Sequence, residues 1–199
     1  MFRSHKARTI IIFLAIVAIG YAIVRWSDGQ GGVPQDFTGA RTQGALIAEN
    51  IVNLSNQSTA TLDKVSKLDN EGNYKDALTL TTGLVTQSAQ IRNQAVALSE
   101  QIATMTQALS GVSNLSARQD ALEAISDQVA LLNQLVSYSA DLGSLLGVLR
   151  ERFTGAYGTT AKVQALVDQV NTDVNAINNF NAQAEKAMAK FDAREGGQQ

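Results

Sequence analysis

The sequence predicts an all-α protein in which an N-terminal single transmembrane helix is followed by an elongated antiparallel (up-down-up-down) four-helix bundle. Three observations predict this fold. An uncharged apolar run stands near the N-terminus, apolar residues recur in alternating steps of three and four over most of the remaining chain, and short breaks containing Gly or Asn divide that remainder into four stretches. Stripes that repeat so regularly are expected to pack against neighbouring helices along their whole length.

The apolar run covers residues 9–24, and the predicted anchor extends through Trp26. Sixteen residues at about 1.5 Å each span roughly 24 Å, and the extension brings the helix close to the bilayer's hydrocarbon thickness of about 30 Å. The residues predicted to contact lipid are Ile10, Ile11, Ile12, Phe13, Leu14, Ile16, Val17, Ile19, Ile23 and Val24, with Trp26 at the interface.

Basic residues set the predicted orientation of this anchor. Arg3, Lys6 and Arg8 precede the run, so the positive-inside rule places residues 1–8 in the cytoplasm and the helical domain outside it. A cleaved signal peptide is the alternative, since small residues follow an apolar core. Apolar sequence that continues past Gly20 favours the uncleaved anchor, and both interpretations export the domain.

The remaining chain divides into a linker, a helical domain and a tail. Three glycines and Pro34, the only proline, make residues 27–37 a flexible Gly/Pro linker. The bundle is predicted over residues 38–194 and the polar tail over 195–199. Its helices are expected at about residues 38–69, 73–110, 116–153 and 159–193, with Gly72 and Asn73 capping the first break and Ser116 opening a capping box with Gln119.

The third helix has the widest apolar surface. Its seam is predicted to run through Leu122, Ile125, Val129 and Leu132, and then to shift phase by a stammer before Leu135. A G-x-x-x-G pattern, from Gly143 to Gly147, makes a second membrane span an alternative for this helix. Asp141 and two amide side chains argue against such a span, so the favoured explanation of the glycines is close approach of two helices within the bundle. The surplus apolar surface predicts an interaction face for another subunit, formed by Leu131, Leu135, Leu142, Gly143, Leu145, Gly147 and Val148.

Five polar residues interrupt the predicted seams, namely Ser58, Thr81, Ser88, Ser139 and Asn181. They either fix the register of the helices or line a small ligand pocket between them. Their scatter along the chain favours the register role.

The composition argues against several kinds of chemistry. The only histidine is His5, which precedes the bundle, and cysteine is absent, so di-iron sites, histidine-ligated haem and Ser-His-Asp or Cys-His catalysis lack their residues. No catalytic, cofactor-binding or metal-ligating residues are predicted. A net charge of −2 with interspersed signs gives no footprint for nucleic acid.

The sequence therefore predicts a non-catalytic, single-pass membrane protein whose extracytoplasmic bundle has a structural or protein-interaction role. Its expected partners are membrane lipid and either another protein or a second copy of the chain. One alternative is a ligand-sensing bundle that signals through a partner, an architecture like the exported domains of bacterial chemoreceptors, and small-molecule binding stays open under it. The other is a secreted helical protein, if the N-terminal segment is cleaved.

Overall fold

The computed structural model describes residues 33–156 and 159–196 of the chain. This part contains four long α-helices of 35 to 39 residues and no strand, as the sequence predicts. The helices are α1 (Gln35–Glu71), α2 (Tyr74–Ala108), α3 (Leu115–Phe153) and α4 (Thr160–Gly196), and a short 3₁₀ turn, Leu109–Gly111, follows α2.

The predicted membrane anchor, residues 9–26, and the segment before it lie outside the described residues. Within residues 33–156 and 159–196, no helix combines the length and the apolar character needed to cross a bilayer.

The breaks between helices are set by local hydrogen bonds. Gly72 ends α1 in the left-handed conformation, at φ 75°, and its N–H donates to the carbonyls of Leu68 and Asp69. The Asn73 side chain caps α2 by accepting from the backbone N–H of Asp76. Both caps confirm the prediction. The predicted capping box at the start of α3 is wrong, because the Asn114 side chain caps this helix instead.

Neighbouring helices in the chain are neighbours in space. α1 packs on α2, α2 on α3 and α3 on α4, as short connections between antiparallel helices require, whereas α1 and α4 approach each other at few positions. One continuous apolar core runs through all four helices. Its largest fully buried side chains include Tyr138, Phe37, Phe191 and Leu84.

The seam of α3 differs from the predicted one. Leu122 and Val129 are exposed, at 53% and 44%, whereas Ala121 and Ala124 are buried. The buried positions follow one unbroken heptad, so the helix contains no stammer. The prediction failed because it gave large apolar residues to the core, while small alanines occupy the seam in the first half of α3. The core positions along this heptad are Ala117, Ala121, Ala124, Leu131, Leu135, Tyr138, Leu142, Leu145 and Leu149.

Candidate functional site

The bundle packs less closely between α1 and α4 than between its other neighbouring helices, and this side, here called the open side, holds two cavities. Near the start of α1 the two helices are joined by a tilted pair of aromatic rings and an ion pair. The ring centroids of Phe37 and Phe191 are 5.2 Å apart. One turn further on, the Arg41 guanidinium donates to both carboxylate oxygens of Asp192, at 2.6 and 2.7 Å. Bidentate pairs of this kind fix orientation as well as distance.

A first cavity of about 520 Å³ lies beyond this junction. Small residues of α1 and α4, such as Gly44, Ala48 and Ala184, form its walls, and Leu98 and Leu131 from α2 and α3 form its floor. The walls leave space because side chains of this size cannot fill the gap between two helices held at normal packing distance. Its size and apolar lining are typical of small-molecule sites.

Two polar atoms beside this cavity have no hydrogen-bond partner among the described residues. They are Nε of Arg41 and Oε1 of Gln128, and both are shielded from bulk water. Buried polar atoms are normally paired, and each one left unpaired costs about 1–3 kcal/mol. Glu185 and Asn181 also line the cavity but bond to each other at 2.9 Å. Neither unpaired atom is open to the cavity, because each has almost no accessible surface.

A second cavity of about 500 Å³ lies on the same side of the bundle, towards its other end. It is lined by Leu62 and Val65 of α1, Leu149 of α3, and Val163 and Val167 of α4. At its polar end Arg152 donates to Asp69 at 2.9 Å and to the Thr160 hydroxyl at 3.0 Å. No atom lining this second cavity is among the buried polar atoms without a partner.

A polar layer crosses the bundle near its middle and separates the two cavities. Its interhelical hydrogen bonds run from Ser58 to Gln87 at 3.2 Å, and reciprocally between Ser88 and Ser139, where each hydroxyl donates to the other's backbone carbonyl at 3.2 and 3.4 Å. The layer consists of Ser55, Ser58, Gln87, Ser88, Tyr138, Ser139 and Asp173.

The sequence predicts five polar seam residues scattered along the chain, but three of them lie together in this layer. Ser58, Ser88 and Ser139 meet because three antiparallel helices bring positions far apart in sequence to the same height. The bond from Ser58 to Gln87 and the reciprocal bonds between Ser88 and Ser139 join neighbouring helices, which supports the register role. Thr81 bonds only within its own helix, to the carbonyl of Ala77, and Asn181 lines the first cavity. The ligand-pocket alternative thus fits Asn181 alone.

The polar layer includes the carboxyl of Asp173, a residue that is 1% exposed. Burial raises its pKa to about 6, with a further rise from the carboxyl of Asp141 on α3, while amide hydrogen bonds from Gln169 and Gln134 lower it in part. The Gln134 amide donates to one carboxyl oxygen at 2.5 Å, and the other oxygen has no partner among the described residues. Burial also raises the pKa of Tyr138 to about 12.

The predicted interaction face of α3 is mostly inside the bundle. Leu131, Leu135, Leu142, Leu145 and Val148 are all buried by other parts of this chain, at 4% exposure or less. Gly143 and Gly147 are exposed. A Cβ added at either glycine would meet no atom within 4 Å, so the explanation of G-x-x-x-G by close helix approach within the bundle is wrong.

A different set of α3 residues is exposed and apolar, and sequence reasoning assigned two of its members to the core. We call it the outer stripe: Leu115, Leu122, Val129 and Val136, each seven residues after the last and 44–67% exposed. Gly143 continues the spacing. The sequence does contain a signal for the outer stripe. When the heptad phase of the second half of α3 is extended towards the N-terminus of the helix, these residues fall outside the seam.

Comparisons with known proteins show no match of this chain to any family model, curated protein or solved structure.

Proposed function

We propose that this protein is a non-catalytic, membrane-anchored module whose extracytoplasmic helical bundle associates with a second copy of the chain through the outer stripe of α3. The observation that carries the proposal is the seven-residue spacing of four exposed apolar side chains on one helix. A seam between two helices repeats two apolar positions in every seven residues, and the outer stripe supplies one of these positions on the exposed face of α3. In this chain no helix of the described part covers them.

The surroundings of the outer stripe suit a second copy. In the half of α3 from Gln128 to Leu149, which carries Val129 and Val136, the only charged residue is Asp141, so this half of two identical surfaces can meet without strong like-charge repulsion. Exposed small residues, among them Ala140, Gly143, Ser144 and Gly147, continue the surface beyond Val136 and leave room for close approach. A twofold interface uses the same patch on both subunits, as this pattern requires.

The membrane part of the proposal rests on residues 9–26 of the sequence. Basic residues before the uncharged run and their near absence after it favour an extracytoplasmic bundle. Extraction of membranes at alkaline pH should leave the full chain in the membrane pellet, and a carboxyl-terminal tag should be digested by protease added outside intact cells. Release of the chain by alkali, or a protected tag, would contradict this part alone.

The association can be tested by single-cysteine crosslinking, because the chain contains no cysteine of its own. The full chain carrying Val136→Cys should form a disulfide-linked dimer in membranes under mild oxidation. Gln183→Cys, at an exposed position on α4, is the matched control and should stay monomeric. Adding Val129→Glu to the first variant should reduce the dimer strongly. Equal yields from the two cysteine variants would overturn the proposal.

A ligand-sensing bundle is the second candidate function, and the two cavities on the open side favour it. Ligand-dependent thermal stabilisation of the chain would support it. This candidate does not depend on the outer stripe, because none of the four outer-stripe residues lines either cavity.

A further inference from the structure

We propose that the outer stripe pairs two copies of the chain in parallel and in register, and that Arg118 determines this orientation by pairing with Glu123 of the second copy. The inference rests on the dimer proposed above and specifies how its two copies meet. It is carried by the heptad positions of the charged and amide side chains that flank the stripe on α3.

The exposed face of α3 contains both positions of a heptad seam. With the outer stripe at the d positions, the a positions come four residues after each stripe residue, and all of them are exposed. Residues three after the stripe, such as Ile125 and Leu132, are instead buried in this chain's own core and cannot contact a second copy. The a positions are Gln119, Ser126, Asn133, Ala140 and Gly147.

The charged residues beside the stripe favour a parallel pair. Over residues 116–146, Glu123 is the only charged residue at an e position and Arg118 the only one at a g position. In a parallel pair each g residue faces the following e residue of the other helix, so Arg118 meets Glu123 twice, once on each side of the twofold axis. In an antiparallel pair g faces g and e faces e, so no alignment brings these opposite charges together.

Both charged side chains are available for a second copy. The Arg118 guanidinium takes part in none of the ion pairs within residues 33–156 and 159–196. Glu123 is 56% exposed and contacts Lys190 of its own chain through one carboxylate oxygen, at 3.4 Å. An exposed pair at this distance is weak, so it does not hold Glu123 away from another cation.

Asn133 favours the same orientation. In a parallel pair in register an a residue faces the same residue of the other helix, so the two Asn133 amides meet and can exchange hydrogen bonds. In an antiparallel pair an a residue faces a d residue, and the amide would lie against an apolar side chain that offers it no partner. A buried Asn at an a position fixes register in coiled coils for this reason.

The orientation decides how the dimer stands on the membrane. Pro34, where the linker meets the bundle, packs on Gly111 just before α3, since a Cβ added at Gly111 would lie 2.7 Å from the proline ring. The start of α3 is thus the end nearest to residues 9–26. Two copies anchored in one membrane have their twofold axis along the membrane normal, and in a parallel pair this axis also follows the helices. The parallel dimer therefore stands upright and carries Phe153 about 58 Å from the start of α3, whereas an antiparallel dimer would lie flat.

The first test uses the full chain in membranes with single cysteines at two stripe positions. Under mild oxidation Leu122→Cys and Val136→Cys should each form a disulfide-linked dimer, because a parallel pair in register places every stripe position opposite itself. An antiparallel pair can place only one stripe position opposite itself. A dimer from Val136→Cys alone would overturn the orientation and leave the association intact, whereas yields no higher than that of Gln183→Cys in both variants would contradict the association itself.

Two differently tagged chains test the antiparallel arrangement directly. Val129→Cys and Gly143→Cys lie seven residues on either side of Val136, so an antiparallel pair centred there would join them. In the parallel pair they are about 21 Å apart along the helices, too far for a disulfide. On co-expression, the disulfide between the two tags should reach at most about a tenth of the yield from two tagged copies of Val136→Cys. Equal yields would overturn the proposal.

Charge reversal connects the orientation to Arg118. In the chain carrying Val136→Cys, which is distant from both charges, Arg118→Glu should slow dimer formation on the order of tenfold, because two attractions become two repulsions. Adding Glu123→Arg restores opposite charges across the pair and should recover the original rate. Lys64→Glu, at an exposed position on α1, changes the net charge equally and should leave the rate unchanged. No recovery in the double reversal, or equal slowing by Lys64→Glu, would overturn the role of Arg118.

Discussion

The side of the bundle between α2 and α3 and the open side between α1 and α4 are built from helices of similar length, yet they close differently. On the first, Ser88 and Ser139 bond reciprocally near the middle of the bundle. On the second, Phe37 with Phe191 and Arg41 with Asp192 join the helices near one end, and cavities follow. A short connection holds α2 beside α3, whereas α1 and α4, the first and last helices, are held together by side chains alone.

This difference between the two sides shows which pair of helices in a four-helix bundle can border a ligand site with little loss of stability. Three of its helix pairs are brought together by short turns, so their contacts form regardless of small gaps. The fourth pair is free to separate where its side chains are small. In this chain glycine and alanine make up much of that pair's lining at the first cavity, and of the larger apolar lining residues Leu98, Met105 and Leu131 come from α2 and α3 and Met188 from α4.

The largest expected effect compares two leucines in the core. Leu135 is fully buried, while Leu98 borders the first cavity. Leu135→Ala should lower the free energy of unfolding by about 3–5 kcal/mol, because it opens a new void, and Leu98→Ala by about 2 kcal/mol, because its surroundings already contain space. Chemical denaturation of both variants measures the difference. Equal losses would mean that the open side is as tightly packed as the rest of the core.

The sequence predicts the features of this fold that depend on local residues better than those that depend on neighbouring helices. Four helices and two of their caps follow from periodicity and from Gly72 and Asn73, since these act locally. The α3 seam was misplaced because alanine is a weak hydrophobic marker: Ala121 is buried while its neighbour Leu122 is exposed. Burial there is decided by the neighbouring helices.

The candidate site was beyond sequence reasoning for a related reason. A cavity is a gap between α1 and α4, which are separated by more than a hundred residues at Arg41 and Asp192, and nothing in either helix records their distance. The polar layer was visible only in part. Ser58, Ser88 and Ser139 stand out as polar seam residues, but their common height depends on how three antiparallel helices are aligned.

The second prediction concerns Asp173, whose pKa is raised to about 6 in the folded chain. The folded state then holds a proton that the unfolded state, with its ordinary carboxyl, releases, so stability should fall as pH rises from about 4 to about 6. Asp173→Asn should remove most of this fall and stabilise the chain at pH 7 by on the order of 2 kcal/mol.

The measurement for Asp173 is the free energy of unfolding as a function of pH in both proteins. The groups that face Asp173 are Asp141, Gln134, Gln169 and Tyr138, and Asp141 is the only carboxyl among these four. Asp141→Asn is therefore the control, and it should reduce the pH dependence without removing it, because burial is the larger cause. An unchanged profile in Asp173→Asn would show that another group is responsible.

The third prediction tests the junction that closes one end of the open side. Arg41 and Asp192 are 13% and 28% exposed, so their bidentate pair is partly screened. Asp192→Asn should cost about 1–2 kcal/mol of stability, since it leaves a partly buried guanidinium without its counter-charge. Glu123→Gln breaks the exposed pair with Lys190 and should cost less than about 0.5 kcal/mol. Equal costs would mean that Arg41 finds another partner.

The smallest expected effect lies on the opposite side, in the reciprocal bonds between α2 and α3. Ser88→Ala removes one buried interhelical hydrogen bond, and the Ser139 carbonyl it leaves already has a partner within its own helix, so the loss should be about 1 kcal/mol. Ser137→Ala, at an exposed position on α3, should change stability by less than about 0.5 kcal/mol. If Ser88→Ala were instead neutral, apolar contact alone would set the register of α2 on α3, and the bonds between Ser88 and Ser139 would add nothing to stability.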